Sequence, residues 1–82
     1  MHLYAAYLGG ELGRGRMGED HEVVLVVADG EDSARRAAKA KWGGAGRPHV
    51  DALTRVERID GFVVGLTPGG EGDATETVGY NE

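Results

Sequence analysis

HEVVLVVADGEDSARRAAKAKW, residues 21–42, carries the clearest structural signal in this chain. It begins with a continuous apolar run, VVLVVA at 23–28, which is typical of a strand that is buried on both faces. Asp29 or Gly30 then offers an N-cap, and the acidic residues after it favour the N-terminus of a helix. The stretch therefore predicts a strand, a turn and a helix, and it places the strand at the centre of a sheet.

The helix predicted after this strand is amphipathic and ends at about Trp42. Its apolar side chains share one face at spacings of three and four residues, and its basic side chains point away from that face. The apolar set consists of Ala34, Ala37, Ala38 and Trp42; the basic set consists of Arg35, Arg36 and Lys39. Because alanine is small, this face predicts a helix that lies close against a sheet.

Three other segments are predicted to be strands. Residues 2–8 are aromatic and aliphatic, and the breaker pair Gly9-Gly10 is expected to end that strand. Residues 49–59 alternate less regularly, which indicates a bulge or a late start. Asp60-Gly61 is the preferred sequence for a two-residue hairpin turn, and it leads into a fourth strand at 62–66.

The resulting order, β-β-α-β-β, indicates an α+β fold: a mostly antiparallel sheet with one helix packed on one face. We expect one domain over residues 1–68, followed by an acidic, glycine-containing tail at 69–82. The tail is a loop or a short edge strand, for which Val78 and Tyr80 are the apolar anchors. The sequence shows no internal repeat.

The strands contain more apolar surface than one helix can cover. Residues 3–8, 23–28 and 62–66 are each apolar on both faces, and soluble monomers rarely expose a large apolar patch. We therefore predict a two-fold symmetric homodimer that buries the second sheet face or extends the sheet. The residues assigned to the core or to the dimer contact are Tyr4, Tyr7, Val24, Val26 and Trp42.

Composition narrows the class of protein further. The chain has 82 residues and no cysteine, which excludes disulfides, thiolate metal sites and a cysteine nucleophile. The net charge is −5, of which −1 falls on residues 1–68, so the fold itself is nearly neutral. With no membrane span and no signal peptide in evidence, we expect a cytoplasmic protein with no membrane partner and no cofactor.

Several short motifs resemble a small bacterial family of domains of unknown function, DUF1543. They are Leu8-Gly9-Gly10, Glu19 with His21-Glu22, Trp42-Gly43, His49-Val50-Asp51 and Asp60-Gly61. The resemblance covers about residues 1–66. Members of that family contain one or two copies of the unit, and a tandem pair is what a covalently linked dimer would look like. The resemblance implies no activity, cofactor or substrate.

A few polar residues are candidates for a ligand-binding site. His21 opens the second strand beside Glu19, and His49 opens the third strand two residues before Asp51. If those strands are neighbours, the two imidazoles and the carboxylate meet at one end of the sheet, where they suit a ligand or a divalent ion such as zinc. The simpler interpretation is that His49 and Asp51 bond to each other and to the loop backbone.

The preferred hypothesis is a homodimeric binding or scaffolding module without enzymatic activity, whose ligand lies near His21, His49 and Asp51. A metal-assisted hydrolase or other enzyme using these residues with Glu19 or Glu22 is the alternative. Weak nucleic-acid binding through the basic helix face is a third, although a solvated face explains those charges more simply. Ser33 is the only serine and fits a helix cap, which argues against a serine hydrolase.

Overall fold

The structure, a computed structural model, describes residues 1–11 and 18–76, without the side chain of Glu19. Its elements are β1 (His2–Glu11), β2 (Glu19–Ala28), α1 (Glu31–Ala40), β3 (Ala45–Val56), β4 (Arg58–Ile59) and β5 (Phe62–Val63). This arrangement confirms the α+β class and the antiparallel sheet. The glycine-rich connector with Arg14 and Arg16, and the anchors Val78 and Tyr80, lie outside the described residues.

The main sheet has three strands in the order β2-β1-β3, and β1 is antiparallel to both neighbours. The prediction that the apolar second strand is central was therefore wrong, because β1 takes that place and β2 lies at an edge. The apolar run at 23–28 is continuous, yet its alternate residues differ in environment. Val26 is buried, whereas Val23 is 65% exposed. Among the described residues of the single chain, this run is covered on one side only.

The core lies between the sheet and the alanine face of α1. Tyr4 and Leu8 of β1 and Val26 of β2 pack beneath Ala34 and Ala38, all of them nearly inaccessible to solvent. Alanine methyls allow the helix axis to approach the sheet closely, so the face predicted from spacing is the face that packs. We call this side of the sheet the covered face.

The helix starts as predicted but ends earlier. Gly30 is the N-cap and the last helical residue is Ala40, with Lys41 as the C-cap. Trp42, expected at the helix end, lies just beyond it and still packs against the core. Its indole Nε1 donates to the Ala45 carbonyl at 3.1 Å, which ties the helix exit to the start of β3.

Gly9-Gly10 does not end the first strand, as predicted, but lies inside it. Both glycines are buried in β1, which continues to Glu11. A β-carbon at Gly10 would come within 2.7 Å of Trp42 Cζ2, so a side chain there would collide with the indole. The role of these glycines is to let neighbouring groups approach the strand closely, and they do not form a turn.

β3 begins at Ala45, earlier than position 49, and is irregular as predicted. Its register against β1 shifts between Tyr7 and Leu8, where Asp51 is the extra residue, and again between Gly9 and Glu11. Pro48 is compatible with this strand because β3 is an edge of the sheet. The bulge at Asp51 matters for the site described below.

The hairpin at the end of the fold forms with the predicted turn but outside the main sheet. Asp60 and Gly61 both have positive φ, 53° and 83°, as a type I′ turn requires. Among the described residues, β4 pairs only with β5, in a separate two-stranded sheet. The fourth strand predicted at 62–66 is thus shortened to Phe62–Val63 and does not widen the sheet.

Candidate functional site

The two candidate histidines meet across a glycine. β2 and β3 are not neighbours, contrary to the premise of the prediction, because β1 lies between them. In the register, however, Gly9 of β1 is opposite both His21 of β2 and His49 of β3. Since Gly9 has no side chain, the space above it is open to groups from both flanking strands.

Three side chains converge on that space. A β-carbon built on Gly9 would lie 2.9 Å from Asp51 Oδ2, 2.9 Å from His49 Nε2 and 3.2 Å from His21 Cδ2. Asp51 is the extra residue of the bulge in β3 and lies two residues after His49, and its carboxylate lies on the same side of the sheet as the His49 imidazole. We call His21, His49 and Asp51, around Gly9, the Gly9 cluster.

The internal geometry of the Gly9 cluster is that of a carboxylate between two imidazoles. His49 Nε2 lies 3.0 Å from Asp51 Oδ1, and His21 Nε2 lies 4.0 Å from Asp51 Oδ2. When His49 carries a proton on Nε2, it can donate that proton to the carboxylate in a charge-assisted hydrogen bond. All three side chains are partly exposed, so a ligand can reach them from solvent.

Tyr7 adds an aromatic wall that the sequence reasoning did not assign to this site. Its ring stacks on His21 with a centroid distance of 5.3 Å and an interplanar angle of 13°. The stacking fixes one face of the imidazole and leaves its edge directed at the cluster. The signal that could have identified this contact is the spacing in β1, since Tyr7 and Gly9 lie on the same side of the strand.

Of the acidic candidates, Glu22 does not join the cluster. Glu22 points to the covered face, where its Oε1 accepts a hydrogen bond from Gly43 N at 3.1 Å. Glu19 lies in β2 opposite Glu11, and its side chain is outside the described part of the structure. The enzyme hypothesis that invoked Glu22 beside the histidines was therefore wrong in that detail.

The cluster can bind a small polar ligand through hydrogen bonds from its imidazoles and carboxylate. Within residues 1–11 and 18–76, no group of three or more His, Cys, Asp or Glu side chains is arranged to hold a metal ion. Divalent transition metals need donors about 2.0–2.2 Å from one point, an arrangement that the described side chains do not have as they stand.

The remaining candidates belong to the packing of the fold. Tyr4 and Val26 are buried in the core, and Val24 and Trp42 pack against it. Because Trp42 packs inward, its ring is not presented for base stacking, and the exposed basic residues of α1 have no aromatic partner among the described residues of that face. In the described part of the chain, no helix is both long and apolar enough to cross a membrane.

The side of the sheet that carries the Gly9 cluster has no helix on it among the described residues, and β2 contributes a row of exposed apolar side chains to it. We call it the open face. The exposed large residues of this face are Tyr7, Val23, Leu25 and Val27. The cluster thus sits at one end of an uncovered apolar surface.

Comparison with known proteins assigns a family. No curated protein and no solved structure matches the chain. Residues 16–66 match the family described as Domain of Unknown Function (DUF1543), a narrower span than the expected 1–66 because β1 is left out. Since the match covers more than half of the chain, the protein belongs to the DUF1543 family.

Proposed function

We propose that this protein is a homodimeric binding module in which two copies bury their open faces against each other. The observation that carries the proposal is the open face itself. Val23, Leu25 and Val27 are between about half and two-thirds exposed on a strand whose alternate residues form the core. Full burial of one such side chain contributes about 1.5–3 kcal/mol, so covering this row is strongly favourable.

The composition of the core supports the need for a partner. Four of its seven buried apolar residues are alanines, namely Ala6, Ala28, Ala34 and Ala38. Alanine buries little area, and a domain of this size has a thin margin of stability. Burial of the open face would supply the apolar contact that the core lacks.

The edge of β2 argues for face-to-face packing over extension of the sheet. Lys41 Nζ donates to the Leu25 carbonyl at 2.6 Å and pairs with Asp73 at 2.9 Å. Because the Lys41 ammonium, from the end of α1, occupies a backbone carbonyl of the edge strand, it discourages pairing with another strand there. The described tail segment near Asp73 flanks this edge, yet the open-face side chains remain exposed.

The mass of the protein in solution tests the proposal. Light scattering at micromolar concentration should give a dimer for the wild type and a monomer for Leu25→Asp, which puts a carboxylate in the middle of the open face. Arg35→Gln is the matched control, since it changes the net charge equally on the outer side of α1, and it should stay dimeric. A monomeric wild type, or a dimeric Leu25→Asp, would overturn the proposal.

As the second part of this function, the Gly9 cluster holds a small polar ligand at the end of the dimer contact. The support for this ligand site is that three side chains from the two outer strands converge on Gly9, which has no side chain of its own. The same convergence favours the alternative, an enzyme that uses His21, His49 and Asp51 with a metal ion bound after these side chains rearrange.

Calorimetric titration with Zn²⁺ separates these two uses of the cluster. Saturable binding of one ion per chain, lost in both Asp51→Asn and His49→Gln, would support the metal-assisted enzyme. Equal, weak binding by the wild type and both variants would reject it and leave the polar-ligand site, which can then be tested by NMR screening of small polar compounds against the His21 and His49 imidazole signals.

A further inference from the structure

The β4–β5 hairpin, defined as residues 57–64, is an ordered element with an exposed apolar surface. Besides its ladder, Val64 N donates to the Glu57 carbonyl at 3.1 Å and closes the base of the hairpin. Ile59 and Phe62 are directly opposite each other and so share one face. Phe62 is 77% exposed and Val63 is 79% exposed.

An isolated hairpin of this kind needs cover. Two-stranded hairpins are marginally stable at best in water unless a further strand or packed surface supports them. β4 and β5 pair with no other strand in the described chain. A single residue, Glu57, separates β4 from β3, yet the hairpin forms a sheet of its own and does not extend the main sheet.

In the described part of the chain, the hairpin and the open face therefore both expose apolar side chains. A groove of about 820 Å³ runs along β2 and is lined by residues 22–27, which include the open-face residues Val23, Leu25 and Val27, and by residues 72–75. A groove between apolar side chains can accept an aromatic anchor, which is the residue type that dominates many interfaces.

We propose that the β4–β5 hairpin of one copy docks on the open face of a second copy, with Phe62 in the groove along β2, and that the second copy reciprocates. This inference rests on the proposed homodimer and adds a second contact to it: beside the face-to-face packing, the hairpin covers the part of the open face that lies along β2. A two-fold axis relates the two contacts, so one pair of complementary surfaces is used twice and both are buried.

Complementation between two variants tests the reciprocal contact. Phe62→Asp disrupts the apolar surface of the hairpin, and Leu25→Asp disrupts the open face. In a dimer of either variant alone, each of the two contacts contains one altered surface, so both contacts are broken. We expect each to weaken dimerisation by at least about thirty-fold, the scale of an interface hot spot. A 1:1 mixture should regain dimers, because the intact hairpin of the Leu25→Asp chain fits the intact open face of the Phe62→Asp chain.

Sedimentation of differently labelled chains reads out the mixture, with Arg35→Gln as the control and circular dichroism to verify that each variant is folded. A dimeric Phe62→Asp beside a monomeric Leu25→Asp would overturn hairpin docking and leave the face-to-face homodimer standing. Two monomeric variants that fail to complement each other would also overturn it. A monomeric wild type would overturn both proposals.

Discussion

The two faces of one sheet, built from the same apolar strands, have opposite environments. On the covered face, Leu8 is fully buried beneath the alanines of α1. On the open face, Leu25 of the neighbouring strand is about half exposed. The residue types are alike, so the difference comes from where the only helix of the described chain packs.

The comparison shows how an apolar residue can have two different roles in one small domain. Burial on the covered face holds the monomer together, whereas the open face is available to a partner. The two glycines of β1 also lie on opposite faces. Gly10 contacts the Trp42 indole on the covered face, and Gly9 lies beneath the polar side chains of the Gly9 cluster on the open face.

The largest expected effect is a loss of stability on the covered face, seen by comparing truncation of a leucine there with truncation of a valine on the open face. Leu8→Ala should lower the free energy of unfolding by about 2–5 kcal/mol, because it leaves a cavity in a closed core. Val23→Ala should change it by less than about 0.5 kcal/mol, as for an ordinary surface substitution. Urea denaturation in the monomeric Leu25→Asp background measures both, and equal losses would show that the open face is not open in the monomer.

A methyl group added at each glycine of β1 sharpens the comparison. Gly10→Ala should destabilise by about 1–3 kcal/mol through overpacking, because Trp42 is held by its hydrogen bond to Ala45. Gly9→Ala should cost less stability, since partly exposed His49 and Asp51 side chains can move towards solvent, but it should displace the cluster. The readouts are urea denaturation and the NMR signals of the His21 and His49 imidazoles; unchanged imidazole signals in Gly9→Ala would contradict the geometry of the site.

The smallest effect concerns a carboxylate remote from both faces. A hydrogen bond from Ser33 is the main cause that holds the pKa of Asp29 below its usual range. A lowered pKa in the folded state means a contribution to stability that is present above the unfolded pKa and lost as the pH falls through the folded pKa. Ser33→Ala should raise the pKa of Asp29 towards the ordinary value, as measured by NMR titration of the Asp29 carboxyl, with no change in dimer mass. A titration identical to that of the wild type would contradict the assigned hydrogen bond.

Local signals in the sequence predicted the elements that depend on neighbouring residues. The hairpin turn at Asp60-Gly61 was correct because type I′ geometry requires residues that tolerate positive φ. The start of α1 and its alanine face were also correct, since capping and helical spacing act over a few residues. The sequence also predicted more apolar strand surface than one helix can cover, and the exposed apolar side chains of β2 confirm this.

The predictions that failed concern how elements are ordered in space. The apolar run of β2 was placed at the centre, although β1 pairs with both of its neighbours. Gly9 was interpreted as a strand terminator, whereas it is the floor of the candidate site. Neither fact is encoded locally, because strand order and close approach depend on contacts between residues distant in the chain.

By itself, the sequence determined the fold class, the helix with its packing face, the hairpin turn and the excess of apolar surface, because these follow from periodicity, turn chemistry and composition. Only the tertiary structure decided that β1 is central, that the last hairpin leaves the sheet, and that His21, His49 and Asp51 converge above Gly9. The physical reason is register: two outer strands that never pair with each other place their side chains together only because the strand between them has, at that one position, no side chain.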